Sequence, residues 1–256
     1  MTFSPSGALW SASRRKGKTQ LVEHRKTSAT SVYTTPDKVA AIWVSPSGAI
    51  HAAGRKYHSN VSGTWKASPI QAEVMTLWGT ADDDLWAGGS DGEVLRYDGR
   101  TWTTIHRGDM VTGIAGRSAN DVHVATFSGY LRWNGKALKL ATKGAFQGVT
   151  IAGKHVFLCG TDIVFRDGKK IGAIDGSDEL YGVGVGAASV FALGPAEVFE
   201  VRSGKLTPVA LDPAWLSVKR GEYSTAIASD GKRVAIGGTA TVIVHDGRTW
   251  KAWAGV

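Results

Sequence analysis

Residues Met75 to Ile105, MTLWGTADDDLWAGGSDGEVLRYDGRTWTTI, hold four short apolar pieces, MTLW, DLWAG, EVLRY and TWTTI, parted by TADD, GSDG and DG. Each piece alternates or is rich in β-branched and aromatic residues, the pattern of a β-strand. The separators are turn formers: Asp and Asn side chains bond to nearby backbone, Gly accepts positive φ, and Asp98-Gly99 is expected to close a two-residue hairpin. The stretch therefore predicts one four-stranded antiparallel sheet with two apolar faces and nothing of its own to cover them.

Repetition supplies the cover. The second piece recurs as Leu9-Trp10-Ser11, Ile50-His51-Ala52, Leu85-Trp86-Ala87, Val122-His123-Val124, Val156-Phe157-Leu158, Val190-Phe191-Ala192 and Val234-Ala235-Ile236, with spacings of 41, 35, 37, 34, 34 and 44 residues. SPSG precedes it at Ser4 to Gly7 and Ser45 to Gly48, and TADDD, RSAND and SDGKR take that place later. The next turn recurs as Asp98-Gly99, Asn134-Gly135, Asp167-Gly168, Ser203-Gly204 and Asp246-Gly247. Seven four-stranded units at this period predict an all-β chain folded as a single seven-bladed β-propeller over 1–256, each blade covering its neighbours. The approximate blades are 1–35, 39–68, 74–106, 111–141, 148–175, 180–210 and 223–256.

Composition agrees. A chain of 256 residues is long enough for one closed all-β fold burying roughly 70 to 75% of its unfolded surface. The 33 glycines follow no collagen period and are turn glycines, and ten tryptophans and seven phenylalanines supply plates for packing blade on blade. Cys159 is the single cysteine and sits in the apolar run HVFLCG, so it is expected to be a buried thiol outside any disulfide. The N-terminal segment lacks the apolar core of a signal peptide, and no run approaches a membrane span, so a cytoplasmic location without membrane insertion is expected.

The positive charge is local. Between Arg14 and Lys26 six Lys or Arg face Glu23 alone, which gives that segment +5 of the formal +8. Its core, Arg14, Arg15, Lys16 and Lys18, falls in the turn between the second and third strands of unit one. Unit two repeats the feature at Gly54 to Ser59, with Arg55, Lys56, Tyr57 and His58, whereas unit three has the acidic turn Gly89 to Glu93. Unit six opens with YGVGVG, whose alternating glycines suit close backbone approach. A longer connection, Leu211 to Glu222, precedes unit seven and carries Trp215, Lys219 and Arg220, with a short helical turn expected near Pro213 to Ser217. Turns between second and third strands open on the same face as the connections between blades. All of these basic and aromatic residues are therefore expected on one rim, with Glu73, Asp91, Glu93 and Asp109 forming an acidic patch beside them.

The segment WGTADDDLWAGGSDGEVLRYDGRTW, Trp78 to Trp102, resembles the Trp/Gly-rich propeller repeats of bacterial proteins, W-G-x4-D-[LV]-W-A-x-G followed by a D-G-x-x-W hairpin. Ile114 to Gly135 is similar, with Ala115 and His123 in place of the tryptophans, and unit seven keeps HDGRTW. The resemblance implies architecture over nearly the whole chain and little about function, because such propellers serve several functions.

No residue set points to catalysis. G-x-S-x-G, a phosphate loop and a helix-opening G-x-G-x-x-G are all missing, and none of the seven histidines has the spacing of a metal site. His51 and His123 take the place of Trp86 and are expected to pack between blades, while Asp82 to Asp84 and their repeats are expected to close turns. No catalytic residue, cofactor or metal is expected. The predicted function is a non-enzymatic binding scaffold, monomeric on its own, whose rim residues Arg14, Arg15, Lys16, Lys18, Arg55, Lys56, Tyr57, His58, Trp215, Lys219 and Arg220 recognise a partner protein with an acidic surface. Nucleic acid or another polyanion would use the same cations. A lectin or a channel-centred enzyme are the other functions the fold admits.

Overall fold

The computed structural model describes residues 1–174, 179–195, 197–212, 226–237 and 242–253. Seven four-stranded antiparallel sheets follow one another along the chain as the blades of a seven-bladed β-propeller, as the repeat predicts. Blade one is β1 (Thr2–Phe3), β2 (Leu9–Arg15), β3 (Lys18–His24) and β4 (Ala29–Thr35). Blade two is β5 (Val39–Val44), β6 (Ile50–Gly54), β7 (Lys56–Ser59) and β8 (Lys66–Pro69), and blade three is β9 (Val74–Ala81), β10 (Asp84–Gly89), β11 (Glu93–Tyr97) and β12 (Trp102–Arg107). Blade four is β13 (Val111–Ser118), β14 (Asp121–Thr126), β15 (Gly129–Trp133) and β16 (Leu138–Lys143), and blade five is β17 (Phe146–Ala152), β18 (His155–Gly160), β19 (Ile163–Arg166) and β20 (Lys169–Ala173). Blade six is β21 (Gly182–Val185), β22 (Val190–Leu193), β23 (Val198–Arg202) and β24 (Lys205–Pro208), and blade seven is β25 (Ala226–Ser229), β26 (Val234–Gly237), β27 (Val242–His245) and β28 (Trp250–Trp253). Among the described residues no helix is long and apolar enough to cross a membrane. The helical turn expected near Pro213 to Ser217 lies outside them.

These residues group into two compact units, Met1–Glu23 with Thr30–Ala145, and His24–Ala29 with Phe146–Val256. In the first unit, each middle strand sends alternate side chains to opposite neighbours. Ile42, Ile50 and Ala52 of blade two pack with Trp10 and Leu21 of blade one, while Ala41, Ala53 and Tyr57 of the same blade pack with Leu77, Leu85, Ala87 and Trp102 of blade three. Trp86 and Val94 then turn to Ile114, Val122, Val124 and Trp133 of blade four. Both faces of a blade are thus buried, which is why its middle strands read as nearly continuous apolar runs.

The Trp-Gly dipeptide has a packing explanation. A Cβ on Gly116 would lie 2.4 Å from Cη2 of Trp78, and one on Gly79 would lie 3.1 Å from Cη2 of Trp43. The first-strand glycine of each of these blades seats the first-strand tryptophan of the blade before it.

In the second unit, Phe157, Cys159 and Val164 of blade five meet Val183, Ala192 and Phe199 of blade six. Phe191, Leu193 and Val198 meet Val234, Ile236 and Ile243 of blade seven. Gly182 and Gly184 admit Ile227, whose side-chain atoms would stand 2.6 and 3.0 Å from a Cβ at those positions. Cys159 is fully buried, and burial raises its thiol pKa, as expected for an inert packing cysteine.

The turns follow two designs. Lys16-Gly17, Asp167-Gly168 and Ser203-Gly204 have positive φ at both residues and close two-residue hairpins. Asp98-Gly99 does not, contrary to the sequence reading: Tyr97 pairs with Trp102, and the four residues between them form a loop in which Asp98 Oδ1 accepts the amides of Arg100 at 2.9 Å and Thr101 at 2.7 Å. Asn134 and Asp246 cap their loops in the same way. The aspartate serves here as a backbone acceptor, so the hairpin gains two residues.

Candidate functional site

The face that carries the β2–β3, β6–β7, β10–β11 and β14–β15 turns also carries the connections between blades. Hydrogen bonds tie the two sets together: Thr19 Oγ1 donates to the Asp37 carbonyl at 2.8 Å, Ser90 N to Glu73 O at 2.9 Å and Gly108 N to Gly92 O at 3.0 Å. Asp37 is the hinge between the two basic segments of the sequence, because its carboxylate also pairs with Lys56 at 3.2 Å.

In blade one the strands run longer than the sequence suggests. Only Lys16 and Gly17 form the turn, and Arg14, Arg15 and Lys18 stand on the strand ends beside it. All four cations are exposed. Arg14 reaches the hydroxyl of Thr19 at 3.4 Å, and among the described residues no carboxylate pairs with Arg14, Lys16 or Lys18.

Blade two differs. Arg55 alone is the turn, and Lys56 to Ser59 form β7. The side chain of Arg55 is 77% exposed but holds Glu73 at 3.0 Å, and Glu73 also accepts from Lys38 at 3.2 Å. Hydrogen bonds from Lys38 and Arg55 keep the Glu73 carboxyl below its ordinary range. Three cations, Lys38, Arg55 and Lys56, therefore share two carboxylates of the chain, each being paired, with a net charge of one left over.

Tyr57 and His58 correct the sequence reading. They are 4% and 1% exposed and do not reach the rim. Successive residues of a strand point to opposite faces, and in a blade both faces are covered, so Tyr57 faces blade three and His58 faces blade one. His58 Nδ1 bonds Tyr33 Oη at 3.2 Å, and Tyr33 stacks on Trp65 with ring centroids 4.0 Å apart. Tyr57 Oη lies 2.6 Å from His51 Nδ1, His51 Nε2 lies 3.0 Å from Asp82 Oδ1, and Ser47 donates to Asp82 Oδ2 at 2.8 Å. An ionised aspartate only accepts, so Nε2 carries the proton and Nδ1 accepts from tyrosine. Burial lowers the pKa of His51 and raises that of Tyr57, which keeps both neutral. Burial alone would raise Asp82, but hydrogen bonds from Ser45, Ser47 and His51 outweigh it and hold the group ionised.

Blade four has a related arrangement built within one blade. His123 bonds Tyr130 through Nδ1, and its Nε2 lies 3.2 Å from Asp121 of its own strand and 3.2 Å from Arg117. Burial moves His123 down to about 4 despite Asp121. The histidines that replace the repeat's tryptophan therefore have a packing role, as expected. Their tyrosine partners were not recognised in the sequence, although Tyr57 and Tyr130 occupy corresponding third-strand positions opposite Ala53 and Ala125.

The expected acidic patch does not form as such. Glu93 is buried and pairs with Arg107 at 3.3 Å, and Glu73 is engaged by Lys38 and Arg55. Beyond the charges, Phe127 stands on the β14–β15 turn of this face, 38% exposed, an apolar feature that the sequence reading passed over. The turns opposite border a groove of about 600 Å³ in blade three, lined by Asp83, Asp84, Arg96, Tyr97 and Ile105 and reaching Ala119. There Asp84 pairs with Arg96 at 2.9 Å and Asp98 is bound by its own loop. Among the described residues no group of three or more His, Cys, Asp or Glu is arranged to hold a metal ion. Trp215, Lys219 and Arg220 lie outside the described residues.

No family model and no curated protein matches this chain. Among solved structures, a chain of the mitotic checkpoint complex is 15% identical and covers 100% of this chain and 88% of its own, with a TM-score of 0.69. The β-propeller domain of Cps50 (Swd1) from Myceliophteria thermophila is 13% identical over 99% of this chain and 95% of its own, at 0.66. The WD40 β-propeller domain of Doa1 is 13% identical over 96% and 88%, at 0.67. Likeness at this identity is one of fold, and it agrees with the propeller architecture, whose seven sheets make the chain a seven-bladed β-propeller.

Proposed function

We propose that the protein is a non-enzymatic binding scaffold that recognises a partner protein with an acidic surface. The observation that carries the reading is the contrast on one face: Arg14, Lys16 and Lys18 project from a two-residue hairpin and pair with no carboxylate among the described residues, while Lys38, Arg55 and Lys56 are each paired with Glu73 or Asp37. Charge concentrated on a short hairpin steers a partner and fixes its orientation. Phe127 on the same face supplies an apolar contact of the kind that anchors such interfaces. The structural relatives support a scaffold role, since one is a chain of a multiprotein complex and another a WD40 domain. The buried His–Tyr–Asp arrays offer no competing site, because their reactive atoms are spent on one another inside the blades.

The test is affinity capture from native extract, with and without nuclease, by the wild type and by a variant with Arg14, Arg15, Lys16 and Lys18 changed to Ser. A protein partner that survives nuclease and is lost with the variant is expected. Material that disappears with nuclease would replace this reading by nucleic-acid binding.

A further inference from the structure

Polyanion binding depends less on how many cations a face carries than on how many are not already neutralised, because only those release counterions from the ligand. The face around blades one to three carries Arg14, Arg15, Lys16, Lys18, Lys38, Arg55 and Lys56, enough for an extended polyanion track. Its geometry divides them. Glu73 sits in the connection leading into blade three and reaches back to two cations from different segments, Lys38 at 3.2 Å and Arg55 at 3.0 and 3.2 Å through two guanidinium nitrogens. Asp37 sits in the connection between blades one and two and pairs with Lys56 at 3.2 Å. Asp37 is also fixed from below, since its amide donates to Thr35 Oγ1 at 3.2 Å and its carbonyl accepts from Thr19 at 2.8 Å.

We infer that Glu73 and Asp37 are specificity-determining residues: built-in counterions that silence the blade-two cations, confine recognition to the blade-one hairpin, and so favour a compact acidic protein segment over an extended nucleic acid. The inference rests on the proposed binding role of the hairpin and adds to it the reason for discrimination. Each counterion comes from a connection between blades, and the cations held are Lys38 of the connection between blades one and two, Arg55 of the β6–β7 turn and Lys56 at the start of β7. The pairing is therefore part of the scaffold's geometry. A ligand that wanted these three cations would have to displace carboxylates held beside them by the fold, whereas Arg14, Lys16 and Lys18, which pair with no carboxylate among the described residues, need no such exchange.

The experiment compares a single-stranded oligodeoxynucleotide and a polyglutamate peptide, both fluorescently labelled, as ligands for the wild type, for Glu73→Gln with Asp37→Asn, and for the four-serine hairpin variant. Fluorescence anisotropy is measured over a series of salt concentrations. Each neutralised phosphate on a single strand contributes about 0.7 to the slope of log affinity against log salt. Removing two carboxylates frees two charge equivalents and is thus expected to steepen the oligonucleotide slope of the double variant by about 1.4 and to tighten binding at low salt about tenfold or more. Adding Lys38→Ala, Arg55→Ala and Lys56→Ala to the double variant should remove that increase, and near-ultraviolet circular dichroism establishes that each variant is folded. A folded double variant with the wild-type slope, or a wild type whose slope already counts these cations, overturns the inference. Polyglutamate binding unaffected by the four-serine variant instead overturns the hairpin reading, and does so whatever the double variant shows.

Discussion

Two turns of this propeller carry similar sequence and opposite chemistry. RRKGK at Arg14 to Lys18 is a two-residue hairpin whose cations project from strand ends, and RKYH at Arg55 to His58 is one turn residue followed by a buried strand. In the first, Arg14, Lys16 and Lys18 pair with no carboxylate among the described residues. The second uses Glu73 and Asp37 to match its cations, and puts its two aromatic rings to work between blades. A charge count along a sequence therefore says how much charge a surface has, not how much of it a partner meets.

If that contrast holds, removing Tyr57 should be the most damaging change in either turn. Tyr57→Ala deletes a buried ring packed on Trp102 and Tyr97 and leaves His51 Nδ1 without its donor, a loss of about 3–5 kcal/mol in chemical denaturation. A Tyr57→Ala protein as stable as the wild type would put the ring back on the rim. Acid should expose the same design in blade four. The folded pKa of His123, about 4, lies below its unfolded value, so the unfolded chain takes up the proton first. Stability is therefore fully present above about pH 6.5 and declines as pH falls toward about 4, by up to about 3 kcal/mol from this group. His51, lowered by the same cause, adds to the decline. Urea titrations across this range should show a shallower pH dependence for His123→Phe, and an unchanged one would contradict a buried neutral imidazole.

Gly116→Ala brings a Cβ against the rigid ring of Trp78 and is expected to cost about 1–3 kcal/mol with a change in tryptophan fluorescence. The smallest effect on stability is expected from changing Arg14, Arg15, Lys16 and Lys18 together to Ser. Exposed charges contribute little, so the thermal midpoint should shift by the equivalent of about 1 kcal/mol or less while partner capture falls. A large loss of stability would mean that the hairpin is structural, like its counterpart in blade two.

The architecture was legible in the sequence because it is periodic: the strand triplets mark every blade, the turn dipeptides mark blades three to seven, and the Trp-Gly dipeptide marks a packing contact between consecutive blades. The candidate site was legible only in part. Arg14 to Lys18 reads correctly as an exposed hairpin because Lys16-Gly17 supplies the positive φ its turn needs. Lys56 to Ser59 reads as part of a turn because it is polar, yet a strand covered on both faces can bury a histidine or tyrosine wherever a partner satisfies it. Those partners, Tyr33, His51 and Asp82, lie 25, 6 and 31 residues away from the residues they contact. Pairing at such separations leaves no local signal, and the same holds for Glu73 with Lys38, 35 residues apart. Phe127 falls in the unit-four turn by the same spacing, but a lone aromatic there carries no signal that its ring is exposed.

The most direct test places a photo-crosslinking residue at Lys16 in one variant and at Arg55 in another and identifies the adducts formed in the native cell. Adducts to a protein through an acidic segment from position 16, with few from position 55, are the predicted result. Equal yields from both positions, or adducts to nucleic acid from position 16, would contradict a scaffold that recognises its partner through the unmatched hairpin of blade one.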